Sequence, residues 1–176
     1  IYKRSVVFFR DLEQKVRWRD VTDSERSFHW KITWFPPEGE TNKYITDGRT
    51  RKPARTDDGA ITVDSYSNSQ GGRKYGSKAS GWIGRKFDIN DPENSGKAVG
   101  HLYGRPSVKD TLHDQVMLAA EYYGYPAFYE HTSDDYEGFF RERGKSGYLG
   151  RYPLSLIDPN KREKAERHKG TPITPF

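Results

Sequence analysis

The chain has 176 residues, with 30 Lys and Arg against 25 Asp and Glu, a net charge of +5 and a pI near 9.3. Its mean hydropathy is −1.03 and hydrophobic residues make up 32%, so a single modest core must lean on the 14% aromatic residues. The absence of cysteine excludes disulfides and thiolate zinc centres and fits a reducing compartment, and no apolar run approaches the ~18 residues that span a membrane.

A basic balance suits a phosphate backbone, although a solvated basic surface has the same composition. No signal peptide is visible, and the start at Ile1 leads to the expectation that this is a piece of a longer protein.

Residues 1–59 read as an N-terminal extension. Ser5 to Phe9 is a short apolar run. Val16 and Trp18, then Phe28, Trp30, Ile32 and Trp34, fall at alternate positions, which predicts an aromatic β-hairpin or edge pair. Pro36-Pro37-Glu38-Gly39 ends it. Residues 46–59, with Arg49, Arg51, Lys52 and Arg55, read as a loop or linker.

From residue 60 the order becomes regular. Strands are expected over 60–66, 78–87 and 97–104, with a glycine-rich basic loop over 67–77. Ser107 is the expected N-cap of a helix whose apolar face is Val108, Leu112, Val116, Ala119 and Tyr123, and Gly124 closes it. A fourth strand follows over 126–132, then a short helix from Ser133 or Asp134 to about Arg143. Residues 148–176 read as loop with one short charged helix. Three strands in a row suggest an antiparallel meander. A helix leading back to a further strand favours parallel pairing with an earlier one. The expected fold class is therefore α/β, a mixed sheet flanked by helices. No P-loop sequence is present.

Two strands end in acids: Ala60-Ile61-Thr62-Val63-Asp64 and Ala127-Phe128-Tyr129-Glu130. If these strands are parallel neighbours, both carboxylates emerge at one end of the sheet. Hard oxygen ligands favour Mg²⁺ or Mn²⁺. Two such ions, roughly 4 Å apart, activate water and stabilise the leaving oxygen of a phosphodiester. Taken singly, Asp64 reads as a turn residue and Glu130 as an ordinary exposed glutamate; the pairing is what makes them candidate ligands. Asp135 is a further candidate, though aspartates also suit a helix N-terminus. His113-Asp114 reads as a solvated helix face. Arg73, Lys74 and Lys78, in or beside the glycine-rich loop, are candidate DNA-backbone contacts. Arg141 and Arg143 form a second basic cluster that suits DNA or a protein partner.

This strand order resembles the ribonuclease-H-like nuclease fold, whose central first strand carries an aspartate. An acid at the end of the fourth strand resembles the resolvase-like branch; the other branch carries a helix carboxylate where Asp110 lies here, which makes Asp110 a lesser candidate. The segment Ala127-Phe128-Tyr129-Glu130-His131-Thr132-Ser133-Asp134-Asp135-Tyr136-Glu137-Gly138-Phe139 is similar to a motif of the nuclease domain in large terminase subunits of tailed bacteriophages. The resemblance spans about residues 60–145. It implies metal-dependent cleavage of concatemeric double-stranded DNA during genome packaging in the host cytoplasm. It also implies an ATPase domain in the same full-length chain, with the portal and the small terminase subunit as partners. One departure stands out. Terminase nucleases carry a third acid near the C-terminus, and nothing after residue 147 fits it. That leads to the expectation of a ligand beyond Phe176, and of poor metal binding and weak or no cleavage without it. A junction-resolvase-like nuclease and a non-catalytic DNA-binding or motor-docking module remain open beside this reading.

Overall fold

The computed structural model describes residues 3–64, 78–129 and 136–150. The strands are β1 (Arg4–Arg10), β2 (Val16–Asp20), β3 (His29–Ile32), β4 (Tyr44–Asp47), β5 (Thr50–Pro53), β6 (Gly59–Asp64), β7 (Ala79–Arg85), β8 (Lys97–Gly104) and β9 (Ala127–Tyr129). The helices are α1 (Lys109–Tyr123) and α2 (Tyr136–Glu142). Among the described residues, seven strands form one mixed sheet in the order β2-β1-β3-β8-β7-β6-β9, and β4 and β5 pair apart from it.

The centre of this sheet is the expected meander. β6 pairs antiparallel with β7, and β7 with β8. The chain then crosses through α1 and returns as β9, parallel to β6. Beyond β9 the chain turns alongside again: Leu149 forms a parallel bridge with Ala127, and the Gly150 amide donates to the Ala127 carbonyl at 2.6 Å.

The N-terminal strands differ from a detached hairpin. β1 pairs with both β2 and β3, and β3 pairs antiparallel with β8, so all three extend the main sheet. Two side chains finish this region by imitating a strand's peptide group. Gln115 of α1 accepts from the Phe8 amide at 3.0 Å and donates to the Phe8 carbonyl at 2.8 Å. Asn42 does the same for Val16, at 2.8 and 2.9 Å. Each saturates backbone groups that a neighbouring strand would otherwise have to satisfy.

The expected loop over 46–59 overlaps the β4-β5 hairpin, which begins at Tyr44. Its residues are mostly exposed, so no apolar alternation announces it. It is held instead by the Gly48-Arg49 turn, with Gly48 at φ 63°, by Lys52 against Asp47, and by the Arg51 guanidinium over the Tyr44 ring at 4.3 Å.

α1 begins one residue later than expected. Val108, not Ser107, is its N-cap, and no side chain caps it. Gly124 ends it in the left-handed conformation, φ 69°, as its position suggested. Leu112, Val116, Ala119 and Tyr123 are buried as expected, whereas Val108 is exposed. The opposite side of the helix is buried too, because α2 packs there. His113 lies 4.3 Å from the Tyr136 ring and 5.2 Å from Phe139, so it is a core residue and not part of a solvated face. The core is aromatic: Trp30, Tyr123, Tyr125, Tyr136 and Phe140 are fully enclosed. No helix among the described residues is long and apolar enough to cross a membrane.

Candidate active site

β6 carries Ile61 and Val63 into the core, and Thr62 and Asp64 onto the other face. That alternation follows directly from the pleat. Asp64 is exposed at the strand's last position, opposite Ser80 of β7. The same register continues through Tyr103 of β8 to His29 of β3, so Asp64 begins a row of side chains running across the sheet. The Ser80 hydroxyl lies 3.2 Å from Nε2 of His101. Lys78 is exposed two residues ahead of Ser80 at Asp64's end of the sheet, and its ammonium stands 5.2 Å from the Tyr103 ring centre.

On the other side of β6, the parallel register pairs Ile61 with Ala127, Thr62 with Phe128 and Val63 with Tyr129. Asp64 follows Val63, and in the sequence Glu130 follows Tyr129. Glu130, Asp135, Arg73 and Lys74 lie outside the described residues. Among the described residues no three His, Cys, Asp or Glu side chains gather as a metal-binding group.

Arg141 and Arg143 are exposed at the end of α2. The Arg143 guanidinium covers the Phe139 ring at 3.4 Å and donates to the Phe139 carbonyl at 3.2 Å. Its charge acts on Asp114 of α1. Arg143 is thus drawn to the helical side of the sheet, and Asp64 projects from the other side. Asp110 is exposed in the first turn of α1, with Oδ1 3.7 Å from Nδ1 of His113. Burial pushes the Asp114 carboxyl up, and the nearby Arg143 and Arg10 charges pull it partly back.

Two features were not anticipated from the sequence. One is Glu121, buried on α1 between two cations. Its Oε2 accepts from Arg10 Nη2 at 2.5 Å, and Lys145 Nζ stands 2.6 Å from its Oε1. This knot joins β1, α1 and the chain after α2. The other is the exposed aromatic face beside Asp64, where Trp82 stacks on His101 with ring centres 3.9 Å apart. The expected strands count Trp82 and Tyr103 among their apolar residues. The signal that separates them was present in the alternation: Ala79, Gly81 and Ile83 share one face, and Ser80 and Trp82 the other.

Set against known protein families, curated proteins and solved structures, the chain matches none.

Proposed function

We propose that this chain is a nuclease domain that cleaves double-stranded DNA with Mg²⁺ or Mn²⁺, of the ribonuclease-H-like kind found in large terminase subunits. The observation that carries the reading is the parallel register of β6 and β9, which reaches Val63 and Tyr129 one residue ahead of each acid. The reading takes Glu130, the next residue in the sequence after Tyr129, as the partner acid of Asp64. The order β8-β7-β6-β9, an antiparallel meander with a parallel fourth strand beside the first, also supports it.

The donor chemistry fits. Asp64 is an exposed carboxylate at a strand end, free of any core role, and hard oxygen ligands suit both ions. Asp64 and Glu130 would hold the metal, with Asp135 a further candidate. A bound divalent ion supplies charge neutralisation at the phosphodiester and a more acidic water. The chain's own part is to hold Asp64 at the end of a hydrogen-bonded strand, so that its position is set by the sheet and not by a loop. Lys78 stands at the same end of the sheet as a contact for the DNA backbone, and Arg73 and Lys74 are assigned the same role. Arg141 and Arg143, on the helical side, suit a protein partner of the packaging motor better than the scissile strand.

Calorimetric titration of Mn²⁺ tests the metal assignment separately from cleavage. The reading expects heat of binding that Asp64→Asn and Glu130→Gln each reduce at least tenfold. Equal binding by both variants would remove the two acids from the site.

A further inference from the structure

The face of the sheet opposite α1 carries a second row of side chains beside the one that begins at Asp64. It runs from Thr62 on β6 through Trp82, His101 and Lys31 to Ser5 on β1. Trp82 and Tyr103 are 45% and 53% exposed, values that set them apart from the enclosed aromatics of the core. His101 stands between them, stacked on Trp82 at an interplanar angle of 14° and 5.9 Å from Tyr103. On its other side, Trp82 pairs across the strands with the small Thr62. Among the described residues no ring contact is made there.

The charge on this face is one-sided. Lys31 and Lys78 are exposed, and Lys31 lies directly across from His101. Burial first, and then the charges of Lys31 and Lys3, hold the His101 imidazole below its ordinary value, so the ring is uncharged at pH 7. In the two rows the one acid among the described residues is Asp64, at the margin. Exposed rings on a sheet face suit a partner, and the lysines at either end favour an anionic one. Rings with π-faces flanked by lysines match unpaired bases joined by phosphates.

We propose that this face is a stacking platform for single-stranded nucleic acid, with bases on Trp82 and Tyr103 and phosphates at Lys31, Lys3 and Lys78. From β6 to β3 the platform spans three inter-strand steps, about 14 Å, enough for two or three nucleotides. It extends the nuclease reading by placing an unpaired strand next to Asp64, yet it requires no metal. Failure of one therefore leaves the other standing.

The test is fluorescence anisotropy of labelled oligo(dT), about 12 nucleotides long, with the full chain in EDTA at low salt. Binding is expected. Trp82→Ala should weaken it about tenfold, the loss of one stacked base, and Trp82→Phe should restore most of it. Lys31→Ala should flatten the salt dependence by about 0.7 in log–log slope. A duplex of the same length should lose little from Trp82→Ala, because its bases already stack on one another. Trp82 is half exposed, and circular dichroism of the variant checks that the fold is kept. Absence of binding, equal binding by wild type and Trp82→Ala, or an equal loss on single strand and duplex would each overturn the proposal. Competition by polyglutamate as effective as by unlabelled oligo(dT) would also overturn it, since charge alone would then explain the binding.

Discussion

Val63 and Tyr129 are parallel partners, and they are the last pair in the described register between β6 and β9. Both side chains are buried, so the strands meet through the core just before each sequence presents an acid. Stability and chemistry should therefore separate at adjacent positions. Tyr129→Ala removes a ring stacked 4.7 Å from Tyr136 and should cost about 3 kcal/mol or more of unfolding free energy. Asp64→Asn, at an exposed position, should change stability by no more than about 0.5 kcal/mol. Urea unfolding of the two variants measures both.

Glu121 compensates two cations in a place where water does not. Replacing it with Ala removes the carboxylate that Arg10 and Lys145 share between β1 and the chain after α2. The expected loss is about 3 kcal/mol, in the range for breaking a buried ion pair from one side. Arg4→Ala, which breaks an exposed pair with Asp20, should cost far less by the same measurement.

Two carboxyls should give opposite pH signatures. The Arg19 guanidinium and the Thr22 hydrogen bonds hold Glu25 down at about 2, against an ordinary value of 4.5. Its contribution is present above 4.5 and is lost as pH falls toward 2. Glu25→Gln should therefore destabilise the chain at pH 7 and match the wild type near pH 2. Asp114 is raised by burial, so its ionised form is disfavoured in the fold. That penalty is full above its folded pKa and absent below its unfolded one. Asp114→Asn should thus raise the melting temperature at pH 7, with the gain vanishing on acidification. Thermal melts across pH 2 to 7, spanning both carboxyls, read out the two together.

Gly59 begins β6 under a tight constraint. A Cβ there would overlap both the Gly84 carbonyl oxygen and the Tyr125 ring. The carbonyl is backbone and cannot rotate away. Gly59→Ala should cost about 2 kcal/mol by overpacking. Gly84→Ala, whose Cβ would lie 3.8 Å from the Ala60 carbonyl, should be tolerated far better. The comparison is a chemical-denaturation midpoint for each.

The meander, the crossover and the parallel return to β6 were legible because Ile61, Val63, Ile83 and Leu102 alternate with polar or exposed residues. The end of α1 was legible because Gly124 supplies a positive φ. Other features left no local trace. The β4-β5 hairpin is exposed on both faces, so cross-strand charge and ring contacts hold it where burial does not. Gln115, Asn42 and Glu121 read as surface polar residues, and long-range partners alone show that they close the fold. His113 reads as exposed until α2 covers it. For the site, Asp64 falls at a strand end as the sequence suggested. The aromatic face beside it was hidden because Trp82 and Tyr103 are apolar residues that a composition argument assigns to the core.

The central claim is that Asp64 and Glu130 together hold the ion that cleaves DNA. The most direct measurement is supercoiled-plasmid cleavage in Mn²⁺, with wild type, Asp64→Asn and Glu130→Gln run side by side. The account predicts cleavage by the wild type that EDTA abolishes and that falls at least about a hundredfold, roughly 3 kcal/mol of barrier, in each variant. Undiminished cleavage by both variants would contradict it.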